Sequence, residues 1–294
     1  MPGELLLHEL LLVVGCGFIV GGLSGIFGVG GSFLLVPILH IVLGIPIEFA
    51  VGSTACQVLG PSTAALLARK VTRLQLRLPL IITGGIIMGV LLGTLILNAA
   101  GQFGEVQVSG RMVEASELLV LGTYLVMLLG IGSFSLYEVR RQLDGNPVSR
   151  GALACLKIPP VDTFSELGVG TLSIPILSMF GLLTGITAGM LGISGALLLI
   201  PGLVYLLDIR SRKAILASLI VVWITSFLAT ISHAWHQHID LALTLALMFG
   251  GTIGARIGSE LSNRLEGRSL RSGIGWLSLF AACLVLFQLY QLLK

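Results

Sequence analysis

Two stretches of the 294-residue chain decide the fold: GGLSGIFGVGGSFLLVP at 21–37 and GITAGMLGISGALLLIP at 185–201. In each stretch, clustered glycines interrupt an apolar run, and a proline follows six residues after the last of them. The stretches lie 164 residues apart, and 11 of the 34 positions in 21–54 are identical to their counterparts in 185–218 without a gap. The shared proline and the fixed glycine spacing indicate an internal repeat.

Composition narrows the class of protein. The chain is 55% hydrophobic and 11% charged, whereas soluble proteins are about 25% charged, and its mean hydropathy is +1.02. A soluble enzyme and a disordered chain are therefore excluded, and a net charge of +3 is too small for a nucleic-acid binder. Long unbroken apolar runs argue against an outer-membrane barrel. We expect an all-α polytopic protein of the lipid bilayer.

About ten apolar segments are predicted. Most reach the roughly 20 residues that a bilayer crossing needs. Two are short, and each of these follows a glycine break and contains a proline, Pro37 or Pro201. The segments are 8–28, 32–44, 49–68, 78–98, 117–137, 170–191, 195–207, 214–233, 240–260 and 272–293.

The basic residues predict the orientation. Fourteen of the 17 Lys and Arg residues lie in four loops, and ten crossings place all four loops on one side, the cytoplasm. They are Arg69, Lys70, Arg73, Arg77, Arg140, Arg141, Arg150, Lys157, Arg210, Arg212, Lys213, Arg264, Arg268 and Arg271. The predicted organisation is a first membrane repeat over 1–137, a central cytoplasmic loop over 138–169 and a second membrane repeat over 170–294.

The second repeat is predicted to be inverted. Five segments in each half is an odd number, so corresponding segments must cross in opposite directions. The loops agree, because 69–77 holds four basic residues and its counterpart, 233–240, holds none. A 5+5 inverted repeat with glycine-broken short helices in each half is typical of secondary transporters.

The two glycine breaks are the candidate binding site. Unpaired backbone is costly in lipid, so a break at membrane depth must lie within protein or line a cavity. A half-helix that starts after Gly31 or Gly195 presents N–H groups and a positive dipole end, which favour an anion. Nearby hydroxyls and amides suit an oxyanion such as sulfonate, carboxylate or sulfite. The candidate substrate-binding residues are Gly28, Gly30, Gly31, Ser32, Ser53, Thr54, Gln57, Gly192, Ser194, Gly195 and Ser218.

A purely structural interpretation stays open for these residue types. Small residues four apart allow close helix packing, and serine or threonine hydroxyls often bond their own helix backbone. Packing is the preferred interpretation for two further glycine series, which are Gly85, Gly89, Gly93 and Gly250, Gly254, Gly258.

Few ionisable residues fall inside the predicted segments. His40 is a weak candidate for a proton relay. Arg256 is expected to reach the cytoplasmic interface, with a fixed charge at the mouth of the pathway as the alternative. A polar cluster outside the membrane is interpreted as interfacial rather than metal-binding. It comprises His233, His236, His238 and Asp240.

The run at 21–37, followed by AVGST at 50–54, resembles the TauE/SafE family of sulfite and organosulfonate exporters. The second copy, 189–201 followed by AILAS at 214–218, resembles the second repeat of that family. The resemblance implies a bacterial inner-membrane transporter of anions such as sulfite, sulfoacetate or thiosulfate. Ser194 stands where a clustered glycine is expected and Ser218 where a threonine is expected, so the two halves of the site are chemically unequal.

We therefore expect a secondary transporter that moves small, sulfur-containing anions by alternating access. No Ser-His-Asp pattern, HExxH, P-loop or GxSxG sequence occurs, so we expect neither an enzyme nor a cofactor. Two alternatives from other classes remain: an anion channel and a non-transporting membrane scaffold.

Overall fold

The computed structural model describes residues 7–27, 32–67, 76–108, 111–144, 151, 156, 158–164, 170–193, 195–209, 211–262 and 267–294. The helices are α1 (Leu7–Phe27), α2 (Ser32–Ile41), α3 (Ile47–Gln57), α4 (Leu59–Leu67), α5 (Arg77–Gln102), α6 (Ala115–Leu143), α7 (Ile174–Leu191), α8 (Ala196–Pro201), α9 (Ser211–Trp235), α10 (Leu241–Ser262) and α11 (Gly267–Leu293). The strands are β1 (Glu105–Val108), β2 (Arg111–Glu114), β3 (Val161–Thr163) and β4 (Thr171–Ser173).

Each of the ten predicted segments contains a helix. Among the described residues, six helices are long and apolar enough to cross a bilayer: α5, α6, α7, α9, α10 and α11. The chain is therefore a multi-pass membrane protein. Helix α2 has ten residues, which is about 15 Å and half of a bilayer core. Helix α8 and the π-helical turn Gly202–Leu206 that continues it are similarly short.

The predicted segment 49–68 is two helices rather than one. Helix α3 ends at Gln57 and α4 begins at Leu59. Pro61 explains the interruption, because its ring has no N–H and clashes with the carbonyl four residues earlier, that of Gln57.

Two short antiparallel hairpins connect helices of a structure that is otherwise all-α, as predicted. Strand β1 pairs with β2 between α5 and α6, with Glu105 opposite Glu114. Strand β3 pairs with β4 ahead of α7, with Val161 opposite Ser173. Valines alternate in the first hairpin, which suits a strand, but four-residue strands outside the membrane are too short to stand out beside long apolar runs.

Helix α6 runs six residues beyond the predicted segment end at 137 and includes Glu138. Glu138 is only 4% exposed. A carboxylate is therefore buried just beyond the predicted segment, because the helix continues past the predicted end at 137.

Glycines bring the helices together in pairs, as the packing interpretation predicted. On α10, a side chain at Gly250, Gly254 or Gly258 would collide with the backbone of α1. On α5, a side chain at Gly85, Gly89 or Gly93 would collide with the backbone of α7. Helix α6 meets α11 where Gly132 lies beside Gly275. Backbone approach this close maximises packing contacts, which stabilise helix pairs in lipid, where hydrophobic burial contributes little.

We expect Gly85→Ala to destabilise the protein and Gly84→Ala, the matched control, to leave it nearly unchanged. A Cβ at Gly85 would overlap the carbonyl of Ser178 on α7, whereas one at Gly84 meets nothing within 4 Å. Overpacking costs about 1–3 kcal/mol, while the exposed change stays within about 1 kcal/mol. Thermal unfolding in detergent measures both; equal curves for the two variants would contradict close packing at Gly85.

Candidate functional site

The second glycine break separates α7 from α8. Helix α7 ends at Leu191, and Gly192 follows with a φ of 67°. Gly195, with a φ of 74°, precedes the first residue of α8. Both values lie in the left-handed region that side chains disfavour, so glycine is favoured at both positions. The carbonyl of Gly195 accepts hydrogen bonds from the N–H groups of Leu198 and Leu199, which starts the next helix.

Protein surrounds this break. A side chain at Gly192 would collide with the backbone of Val51 on α3. The hydroxyl of Tyr124 on α6 donates a 2.9 Å hydrogen bond to the carbonyl of Leu191, and Tyr124 is fully buried. The carbonyl of the last residue of α7 thus receives its hydrogen bond from a side chain. An interrupted helix in a membrane needs such a partner, because lipid offers no hydrogen-bond donors.

The first break lies outside the described residues. This applies to Gly28, Gly30 and Gly31, and in the second break to Ser194. The flanking helices are described: α1 ends at Phe27 and α2 begins at Ser32. Ser32 therefore starts the short helix after the break, as expected, although its side chain is outside the described part.

Helix α3 carries three of the candidate residues, all buried. The hydroxyl of Ser53 accepts a hydrogen bond from the N–H of Asp240, at 3.1 Å. The amide of Gln57 lies against Gly251 of α10. The hydroxyl of Thr54 has no hydrogen-bond partner among the described residues. A buried hydroxyl without a partner costs free energy, so Thr54 is the member of this group best placed to bind a ligand.

Ser218, the repeat counterpart of Thr54, lies on α9 and is buried. Its hydroxyl donates to the carbonyl of Ile215 at 2.9 Å. The hydroxyl of Ser226, two turns further along α9, is buried and unpartnered within the described part of the chain. The two repeats thus differ in which hydroxyl lacks a partner among the described residues.

The predicted interfacial cluster divides into partly exposed and buried members. His236 and Asp240 are partly exposed, but His233 is fully buried and His238 nearly so. Asp240 accepts a hydrogen bond from the N–H of Leu243 and so caps α10. Among the described residues, no group of three or more His, Cys, Asp or Glu side chains is arranged to hold a metal ion. His233 therefore departs from the interfacial expectation.

Two histidine–carboxylate contacts were missed by sequence reasoning. His40 Nε2 lies 2.7 Å from Glu117 Oε1, and His40 Nδ1 lies 2.9 Å from the carbonyl of Ile45. His238 Nε2 lies 3.6 Å from Glu48 Oε2. The one hint in the sequence was that Glu48 and Glu117 each stand at the start of an apolar run. Neither has a histidine close to it in the chain, so the sequence did not suggest these pairs.

Arg256 lies on the exposed face of α10, beside the exposed side chains of Ile253 and Ile257. An arginine on an apolar exposed face extends its charged end toward the interface. The exposed position agrees with that expectation.

Comparison with known proteins identifies the family. The family model described as Sulfite exporter TauE/SafE matches residues 13–285. The chain belongs to this family. The match takes in both glycine breaks and all of the candidate site residues.

Curated relatives match over most of their length. A protein named "Probable membrane transporter protein" from Xylella fastidiosa (strain Temecula1 / ATCC 700964) is 25% identical over 262 residues, which are 88% of this chain and 87% of the relative. One of the same description from Methanocaldococcus jannaschii is 25% identical, over 94% of this chain and 96% of the relative. The Bacillus subtilis (strain 168) protein YunE, also described so, is 19% identical over 88% and 91%. No solved structure gives a significant match.

Proposed function

We propose that this TauE/SafE protein is a secondary transporter of small, sulfur-containing anions, such as sulfite, an organosulfonate or thiosulfate. It works by alternating access, through a 5+5 inverted repeat in the bacterial inner membrane with its basic loops in the cytoplasm. The observation that carries the proposal is the second break: a buried helix interruption that lies against α3, one turn from the unpartnered Thr54 hydroxyl.

Element bounds support the repeat. Three pairs of helix ends and starts are each 164 residues apart, the spacing of the sequence repeat. They are the ends of α1 and α7 at Phe27 and Leu191, the starts of α2 and α8 at Ser32 and Ala196, and the starts of α5 and α10 at Arg77 and Leu241.

Helix contacts support the same repeat, because α1 pairs with α10 and their counterparts α7 and α5 pair with each other. Glycines that are equivalent with a one-residue shift, 165 residues apart, meet carbonyls that are 164 residues apart. The contacts are Gly250 with Val14, Gly254 with Phe18 and Gly258 with Gly22, against Gly85 with Ser178, Gly89 with Leu182 and Gly93 with Ile186. Each contact of one pair is the image of a contact in the other.

Contacts between a segment of the first repeat and its counterpart in the second repeat support the inversion. The α3–α4 segment and α9 are counterparts, starting at Ile47 and Ser211. The side chain of Cys56 lies beside that of Thr230, and Trp223 Nε1 donates to Thr63 Oγ1 at 2.8 Å. From the first contact to the second, the residue number rises on α3–α4 and falls on α9. The two counterparts therefore pack antiparallel. Related helices that run in opposite directions are the arrangement of inverted-repeat transporters.

The anion class rests on the chemistry of the site and on the family. The candidate residues described near the second break supply backbone dipoles, hydroxyls and an amide. Such groups bind an anion without a compensating cation. The family description names sulfite export, which makes sulfur oxyanions the first substrates to test.

Counterflow in proteoliposomes tests the function. Vesicles preloaded with unlabelled anion are expected to accumulate the same labelled anion transiently, and transport should saturate. A parallel panel of sulfite, thiosulfate, sulfoacetate, taurine and simple carboxylates should raise the unfolding temperature for substrates alone. Electrical currents far above transporter turnover would indicate a channel instead, and neither transport nor stabilisation across the panel would indicate a scaffold.

A further inference from the structure

His233, in the last turn of α9, is a buried ionisable side chain that anion binding does not explain. It is 0% exposed, and neither of its ring nitrogens has a hydrogen-bond partner among the described residues. Leaving two ring nitrogens without partners is costly, and ionisable residues at membrane depth commonly mark ion or proton pathways.

Three side chains form a series from the surface to this histidine. Glu48 is the outermost, with its side chain 29% exposed, and its Oε2 lies 3.6 Å from His238 Nε2. The rings of His238 and His233 have centroids 5.9 Å apart. His233 in turn lies beside the backbone of Gly189 on α7, three residues before the second break. Exposure falls at each step of the series.

The groups around His238 leave its ring able to exchange a proton. His236 stacks on it at 5.7 Å, and burial together with His236 lowers the pKa of His238. Its ring is therefore neutral near pH 7 and gains a proton only in more acidic solution. Of the other facing groups, Asp240 caps α10, the Ser53 hydroxyl bonds the backbone of Asp240, Gly101 of α5 contacts Glu48, and Glu114 adds a negative charge near Glu48.

We propose that Glu48, His238 and His233 conduct protons between the outer face and the second break, and so couple anion movement to the proton gradient. The inference rests on the proposed transport function. A proton taken up by the Glu48 carboxylate passes to one nitrogen of His238. That ring releases a proton from its other nitrogen toward His233, which passes it on at the second break. The transfer leaves His238 in the opposite tautomer, and its ring must reorient and regain the first tautomer before the next proton; no other reactant is consumed.

The second histidine–carboxylate pair provides a matched control in the same protein. Both ring nitrogens of His40 face oxygen acceptors, Glu117 and the carbonyl of Ile45. A protonated ring satisfies both acceptors at once, which fixes the proton in place. Unlike His238, His40 has no second histidine within ring-contact distance among the described residues.

The experiment measures proton movement together with anion transport. Vesicles containing a pH-sensitive dye receive thiosulfate or sulfoacetate, whichever passes the counterflow test, because neither takes up a proton near neutral pH as sulfite does. Wild-type protein is expected to change the internal pH during net transport, and an imposed pH gradient should drive accumulation. Glu48→Gln, His238→Gln and His233→Gln should each lose at least 10-fold of this gradient-driven transport while retaining counterflow, which needs no net proton movement.

The control variants are Glu117→Gln and His40→Gln, which should keep gradient-driven transport. Counterflow without a pH response in wild type, or gradient-driven transport that survives His233→Gln, overturns the proton path and leaves the transporter intact. Absence of counterflow for every anion of the panel overturns the proposed function itself, and the proton path with it. Equal losses in the control pair would also contradict the assignment.

Discussion

A Gly195→Leu variant is expected to fold, to lose anion-dependent thermal stabilisation and to lose about 100-fold in counterflow. A Cβ at Gly195 would meet only ordinary contacts, 3.6 Å from Leu199 Cδ1 and 3.8 Å from Thr184 Cβ. The left-handed backbone, at a φ of 74°, costs a side chain about 1–2 kcal/mol, which does not unfold the protein. The new side chain occupies the space at the break where the anion is proposed to bind.

Gly104→Leu is the control variant that distinguishes the effect of backbone strain from the effect of blocking the proposed anion site. Gly104 has a φ of 68°, lies between α5 and β1, and has nothing within 4 Å of its Cβ position. The variant therefore carries a similar strain and should transport normally. Gly192 is unsuitable for this comparison, because a Cβ there would also collide with Val51. If Gly195→Leu transports as well as Gly104→Leu, the second break does not bind the substrate.

The helix pairing was predictable because its cause is local. Glycines four residues apart, such as Gly85 and Gly89, fall on one helix face regardless of the rest of the fold. In lipid, such a face favours close packing against another helix. The structure places both predicted glycine series against a neighbouring backbone. The helices were equally predictable, since twenty apolar residues in lipid leave the backbone few alternatives.

The histidine–carboxylate contacts were not predictable, because their cause is tertiary. His40 and Glu117 are 77 positions apart, and Glu48 and His238 are 190 apart. Each carboxylate stands at a helix start, where the sequence offers a sufficient local explanation in the helix dipole. Only the packing of α2 near α6, and of the α9–α10 connection against α3, brings the partners together.

The interruption between α3 and α4 lies between these cases. Pro61 is visible in the sequence, and its effect on the carbonyl of Gln57 follows from its ring. The interruption was nevertheless missed, because residues 49–68 form one apolar run and hydropathy does not reflect the missing N–H of a proline. The interruption lies one turn from Thr54, so the helix that carries the candidate site is shorter than the predicted segment.

Thr54→Val is expected to weaken anion binding by about 10- to 100-fold without destabilising the empty protein. Valine keeps the shape of threonine and removes the hydroxyl, which is fully buried and has no partner in the described structure. Removing a buried unpaired hydroxyl leaves the free energy of unfolding unchanged or raises it. A hydrogen bond to a charged ligand contributes about 1.5–3 kcal/mol, which sets the expected loss of affinity.

Thr244→Val is the matched control, with the opposite pattern expected. Its hydroxyl is also buried but donates to the carbonyl of Asp240 at 2.7 Å. Losing that bond should lower the free energy of unfolding by about 1 kcal/mol and leave anion affinity unchanged. Thermal unfolding with and without anion measures both quantities for each variant. If Thr54→Val loses stability as Thr244→Val does and still binds the anion, then the Thr54 hydroxyl serves the protein's own packing and not the substrate.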